Sequence, residues 1–343
     1  MTTLFQQYQA LKSEHPKKYA RELAGMLAVS EAELVQARTA DDAVALKPDF
    51  VTLLTQLATV GETKSIVRND WAVHEQVGRY DNLHLGQHAG LVLNPRALDQ
   101  RIFISQWQSV FALNEQSERG MRHSMQIFDA QGDAVLKIYA TPQTDRAAWQ
   151  ALIAAFSQPA LPELKIAPEG PAAWSTQPDN ALIEQEWRAM TDVHQFFGLL
   201  KRHNVSRQQA FRAVAADLAK QVDNSALRDV LEMAQADGNE IMIFIGNRGC
   251  VQIFTGVVEK LMPVDNWLNI FTPTFTLHLL ENGIAESWIT RKQTANGVVT
   301  SLELFAADGT QIAQLYGQRT EGEPEQTRWR EQLAAVAGEG VAV

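Results

Sequence analysis

The chain has one cysteine in 343 residues, Cys250, so an intramolecular disulfide is excluded and nothing points to an oxidising compartment. Cys250 lies in the apolar run 249–254 and reads as a small buried hydrophobe, with a reactive thiol as the alternative. Cations are also scarce. Thirty Lys and Arg against forty Asp and Glu give a formal charge of −10, and no basic stripe offsets it, which excludes a nucleic-acid platform. No apolar run approaches membrane-spanning length, and the opening residues lack a basic segment followed by an apolar one. A protein that is not membrane-inserted, in the cytoplasm, is therefore expected, and the N-x-S match at Asn204 carries no information.

Familiar catalytic signatures are missing as well. There is no phosphate-binding G-x-x-x-x-G-K-[ST], no G-x-S-x-G, no H-E-x-x-H and no dinucleotide G-x-G-x-x-G. Gly246-Asn-Arg-Gly249 reads as a plain turn between strands. His84 and His88 have helical metal-ligand spacing, but Gly86 and Gly90 speak against a helix and no third ligand is evident. His74, on a probable strand, reads as a structural histidine at the surface or partly buried. What is present is an ordinary globular composition, 45% hydrophobic and 20% charged, rich in Trp and Phe.

The most informative feature is internal similarity. Residues 90–107 align without a gap on 256–273 at an offset of 256 − 90 = 166, and 128–139 align on 305–316 at 305 − 128 = 177. The latter pair reads as strand–turn–strand, with Gln131-Gly132 and Asp308-Gly309 at the turns. Residues 17–27 resemble 207–218 with one insertion. The expected architecture is α+β and duplicated, each half helices followed by antiparallel strands. Residues 1–157 form an N-terminal repeat, 158–179 a proline-rich linker and 180–335 a C-terminal repeat. On these alignments His194 falls on Phe5 and Arg101 on Trp267, so the copies are not equivalent.

Residues 180–203 read as one helix with Asn180 as N-cap, and Ser206-x-x-Gln209 as a capping box opening the next. Trp187, Met190, His194, Phe197 and Lys201 recur at spacings of three and four and share one stripe, which His194 interrupts. His194 is then either a core histidine bonded to a neighbour or an axial ligand, since neutral imidazole binds haem iron and an apolar wall suits a porphyrin. A single histidine without C-x-x-C-H would mean exchangeable b-type haem.

Several strings carry a resemblance. They are residues 73–80 (Val-His-Glu-Gln-Val-Gly-Arg-Tyr), 90–96 (Gly-Leu-Val-Leu-Asn-Pro-Arg), 187–197, 240–256 and 304–319. Together they closely resemble HemS and its family of bacterial cytoplasmic haem-handling proteins, which includes ChuS, ShuS and HmuS. The likeness covers nearly the whole chain, departing mainly in the linker and the last dozen residues. It implies stacked antiparallel sheets and one haem b per chain, held between the C-terminal half and a surface of the N-terminal half. It makes His194 the proximal iron ligand and Arg101 the distal residue. A guanidinium has no lone pair for iron but donates hydrogen bonds to what binds opposite the histidine.

On strand alternation Arg101, Phe103 and Trp107 share a face, so Phe103 would contact the porphyrin. For the propionates the resemblance points to Arg207, Lys292, Tyr316 and Arg319. Each is otherwise an ordinary surface group. Met242 and Phe244 alternate on one strand face and line either the pocket or the core.

Three functions fit these readings. The first is a haem carrier in haem uptake and utilisation, with an inner-membrane importer as donor and a downstream acceptor. The second is a haem-degrading enzyme in which Arg101 acts at the distal side and an external reductase supplies electrons, since no flavin or nicotinamide fingerprint is present. The third is a structural protein with His194 in its core.

Overall fold

The computed structural model describes residues 2–118, 120–168, 170, 172–320 and 322–339. The chain divides into two compact units. The first comprises residues 1–68, 75–170 and 247–252, the second 69–74, 171–246 and 253–343. The expected α+β duplication is present, with the strands in two large sheets.

In the first unit five strands run in the order Ala43–Leu46, Trp107–Ser117, Gly120–Asp129, Ala134–Thr144, Gly61–Arg68. In the second the order is Ala219–Val222, Glu286–Thr294, Gly297–Phe305, Gln311–Gly317, Ile241–Gly246. The neighbours in both series pair antiparallel. Each unit adds a three-stranded antiparallel ribbon, 83–102 in the first and 260–280 in the second. Three short helices precede each series, at Leu4–Glu14, Ala20–Met26 and Glu31–Ala37 and at Asn180–Arg188, Gln195–His203 and Arg207–Arg212. The expected hairpin turns are in place; Gly132 and Gly309 adopt φ of +78° and +86°, a region open to glycine at little cost.

This element order corrects two of the alignments. Ser30 and Ser206 both open capping boxes, with Glu33 and Gln209 reaching back, so the offset there is 206 − 30 = 176. The 128–139 pairing at 177 stands. Strand Gly90–Leu93 corresponds to Trp267–Phe271, not to the segment starting at Gly256, and the short 3-10 turns Ile104–Gln106 and Glu281–Gly283 again differ by 177. The counterpart of Arg101 is therefore His278, and that of His194 is Tyr19, each at the start of the second helix. Similar apolar spacing recurs in neighbouring helices and strands, which is why the sequence alone aligns them one element out of step. The asymmetry survives, with different partners.

In the second unit, strand alternation separates two faces. Ile241, Ile243, Leu302, Leu304 and Leu315 pack under helices Ala226–Asp237 and Thr327–Val336, through Leu227, Leu231, Trp329 and Leu333. Trp288 and Phe305, on the opposite face, join Trp187, Phe196, Leu199 and Phe211 of the three short helices. In the first unit residues 247–249 form a turn, as expected. The Asn247 carboxamide oxygen accepts from the N–H groups of Gly249 and Cys250, and Arg248 pairs with Asp129 and Asp133. Cys250 is fully buried, and burial pushes its thiol pKa up, so it is unreactive.

Gly249 allows the closest approach in this region. A Cβ there would lie 2.6 Å from Val135 Cβ and 2.8 Å from Trp107 Nε1, while the Gly249 carbonyl accepts from Trp107 Nε1 and from the Phe103 N–H. Gly249→Ala is expected to cost ~1–3 kcal/mol through overpacking, seen as a lower urea midpoint with an unchanged slope.

Candidate functional site

Residues 180–203 are not one helix. The first helix ends at Arg188, the second starts at Gln195, and His194 is the N-cap of the second. The first N-cap is Asp179, whose carboxylate accepts from the Leu182 N–H, and Asn180 is the first helical residue. Side chains make the break. Gln195 Oε1 accepts the N–H groups of Thr191 and Asp192, and Asp192 Oδ1 accepts the His194 N–H at 2.7 Å. Such local bonds compete with helical ones.

The break divides the expected stripe. Trp187 and Met190 stay in the core, whereas the His194 side chain is 89% exposed and Phe197 73% exposed. The core-histidine reading is thus overturned. His194 Nδ1 lies 2.7 Å from Asp192 Oδ1, which leaves Nε2 to solvent. In the same unit a cleft of about 400 Å³ is lined by Phe197, Leu200, Lys201, Trp174, Phe305 and Arg207.

Beneath these helices lies a buried ionic network absent from the sequence reading. Glu303 is fully buried on strand Gly297–Phe305. Arg207 grips it through Nε and Nη2, both at 2.8 Å, and Lys292 Nζ donates to it at 3.1 Å. Gln311 and Ser301 also donate to Glu303, and Lys292 donates to Thr290 Oγ1. Both cations lie against aromatic rings, Arg207 over Phe196 at 5.0 Å and Lys292 over Phe196 at 4.7 Å and Trp187 at 5.5 Å. Against the pull of burial, Arg207 and Lys292 hold the Glu303 pKa at about 2, while burial brings Lys292 down to about 8. Neither cation is the solvated surface charge that an ordinary lysine or arginine would be.

The remaining candidates of this unit share that sheet face or its edge. Met242 and Phe244 are half-exposed, alternating with buried Ile241, Ile243 and Ile245, so they are not core residues. Phe244 packs edge-on against Tyr316 at 5.2 Å, and the Tyr316 hydroxyl donates to Gln314 Oε1. Burial raises the Tyr316 pKa, keeping the phenol neutral. Arg319 follows that strand, half-exposed and without a hydrogen bond or ion pair among the described residues.

In the first unit, Arg101 lies on strand Asp99–Ile102, its side chain 35% exposed and its Nη1 2.5 Å from the buried Asp99 carboxylate. Phe103, 38% exposed, has left the strand and opens a 3-10 turn. Trp107 is buried, so the expected shared face ends before it; the turn resets the alternation. His74 is fully buried, edge-on to Phe275, and so not a surface group. His84 is on a strand, and no metal-binding group of three or more His, Cys, Asp or Glu occurs among the described residues. No helix of the described residues is long and apolar enough to cross a membrane.

An exposed, carboxylate-bonded histidine thus stands on one of the two homologous α+β units of a duplicated fold. The chain belongs to the family of the haemin-degrading HemS.ChuX domain, whose model matches it twice, at residues 28–156 and 204–336. The two matches start 204 − 28 = 176 residues apart, the offset of the capping boxes.

The chain is 60% identical to the hemin transport protein HmuS of Yersinia pestis, and 58% identical to the hemin transport protein HemS of Yersinia enterocolitica, over 99% of each chain. Its structure matches the haem-degrading enzyme ChuS of Escherichia coli O157:H7 with a TM-score of 0.93 at 59% identity, covering 97% of this chain and 98% of that one. It matches holo-PhuS, a haem-binding protein from Pseudomonas aeruginosa, with a TM-score of 0.92 at 39% identity, covering 97% and 98%.

Proposed function

We propose that this protein binds one b-type haem through His194 in the cytoplasm, for transfer, storage or breakdown. The observation that carries the reading is the exposed His194 imidazole, whose Nδ1 is engaged and whose Nε2 is open for iron. The ligand belongs to the C-terminal repeat, 180–335, joined by the linker 158–179 to the N-terminal repeat, 1–157. Phe197, Met242 and Phe244 offer apolar contact to a porphyrin, and Arg319 a free guanidinium to a propionate. Arg207, Lys292 and Tyr316 stand behind them; Glu303 balances one of the two positive charges, so the pair would contribute a weaker positive potential than two free charges. Arg101 and Phe103 are assigned to the distal side from the family resemblance, and Asp99 restrains the guanidinium.

Bound haem would supply an iron that one imidazole can ligate and a ring that can be cleaved by oxygen and electrons. A single exposed ligand favours exchange, which suits a carrier fed by an inner-membrane haem importer and emptied by a downstream acceptor. The degrading role has support in the likeness to the haem-degrading enzyme ChuS and would need an external reductase. Hemin titration is expected to saturate at one equivalent with a sharp Soret band; saturation at two equivalents, or no band, would count against the reading. Incubating the complex with ascorbate or a reductase, oxygen and catalase separates the roles. Loss of the Soret band with release of iron marks the enzyme; a stable complex marks the carrier.

A further inference from the structure

We infer that Asp192 is the positioning residue of the haem ligand: it fixes the tautomer of His194 and strengthens Nε2 as an electron donor to iron. This rests on the assignment of His194 as ligand. Asp192 Oδ1 stands 2.7 Å from His194 Nδ1 and 2.7 Å from the His194 backbone nitrogen. A carboxylate only accepts, so Nδ1 carries the proton and Nε2 keeps its lone pair.

The residue pair is also held in place. Gln195 Oε1 ties down the N–H groups of Thr191 and Asp192, so the carboxylate is delivered by the turn itself and not by a free rotamer. Two residues apart in a continuous helix, an aspartate and a histidine would not face each other; across this broken helix they meet. The break in the helix therefore has a chemical use.

Two consequences follow for an iron-binding imidazole. A ring whose Nδ1–H is bonded to an anion is a better donor than one bonded to water or a carbonyl, and it favours the ferric over the ferrous state. The ring is also pre-oriented, so less rotational freedom is lost on binding. The Asp192 side chain is 58% exposed, so water competes with this bond and the effect is moderate.

The experiment compares wild type with Asp192→Asn and Asp192→Ala. Asparagine keeps an oxygen for the His194 backbone N–H and removes only the charge, so loss of the turn is separated from loss of the anion. In the hemin-free protein, nitrogen-15 NMR of the His194 ring is expected to show the Nδ1-protonated tautomer in wild type and mostly the Nε2-protonated one in Asp192→Ala. In the hemin complex, Asp192→Asn is expected to lower the preference for ferric over ferrous haem about tenfold, a rise in midpoint potential of ~59 mV. An unchanged tautomer in Asp192→Ala together with an unchanged potential in Asp192→Asn would overturn the assignment. If His194→Ala alters the hemin spectrum while the Asp192 variants match wild type, only the positioning role falls. If His194→Ala leaves the spectrum as it was, the ligand assignment itself falls.

Discussion

His194→Ala is expected to weaken hemin binding on the order of 100-fold, ~2.7 kcal/mol, and to flatten and shift the Soret band. The fold should be indifferent to the change. The side chain is 89% exposed and, among the described residues, lies outside the buried apolar clusters and has Asp192 as its one side-chain hydrogen-bond partner. Such surface replacements stay within about 0.5 kcal/mol, so the urea midpoint serves as an internal control. Exogenous imidazole is expected to restore the band in His194→Gly, because it can occupy the vacated coordination position. An intact spectrum in either variant would show that iron is bound elsewhere on the chain.

Glu303→Gln is expected to be the most destabilising single change in the second unit, at ~3–5 kcal/mol. The substitution keeps the shape and removes the charge, leaving the buried Lys292 ammonium and the half-buried Arg207 guanidinium with no anion. The pH dependence follows from the pKa shifts. The Glu303 pKa is depressed from 4.5 to about 2, so its contribution is fully present above about pH 4.5 and is lost as pH falls toward 2. Lys292 behaves oppositely. Its pKa is depressed from 10.5 to about 8, so between these values the unfolded chain binds more protons and stability rises with pH. Glu303→Gln should therefore recover part of its deficit between pH 7 and 9 as Lys292 loses its proton. Equal deficits at both pH values would mean that removing the carboxylate leaves the Lys292 pKa where it was. Denaturation midpoints at pH 7 and 9 decide it.

The sequence made the duplication, the capping box at Ser206 and the hairpins at Gly132 and Gly309 legible, because each rests on a local pattern. The environment of His194 was not legible in the same way. Trp187, Met190, His194 and Phe197 continue a helical spacing through a break made by side chains, with no proline or glycine to mark it. Asp192 and Gln195 are unremarkable in a helix and act as a stop only when both close onto the same turn. Glu303 left a fainter sign. It alternates with Leu302 and Leu304 in an apolar strand, where a buried carboxylate requires cations, but Arg207 is 96 residues away in sequence. Phe103 followed strand alternation only until the 3-10 turn reset it.

The buried charges also bear on how the two copies diverged. In the first unit the position of Arg207 is held by Glu31, that of Glu303 by Gln126, that of Gln314 by Lys137 and that of Lys292 by Glu115. Glu31 pairs there with Lys137, and Glu115 with Arg38. Sign is reversed at two of these positions, and each unit pairs the charges of its own set internally. No single replacement converts one arrangement into the other without burying an uncompensated charge on the way. Drift between the copies must then have proceeded through coupled changes, or through neutral intermediates such as the glutamine still present at position 126. A consensus drawn from the two halves would mix incompatible members of both sets and would be less stable than either parent.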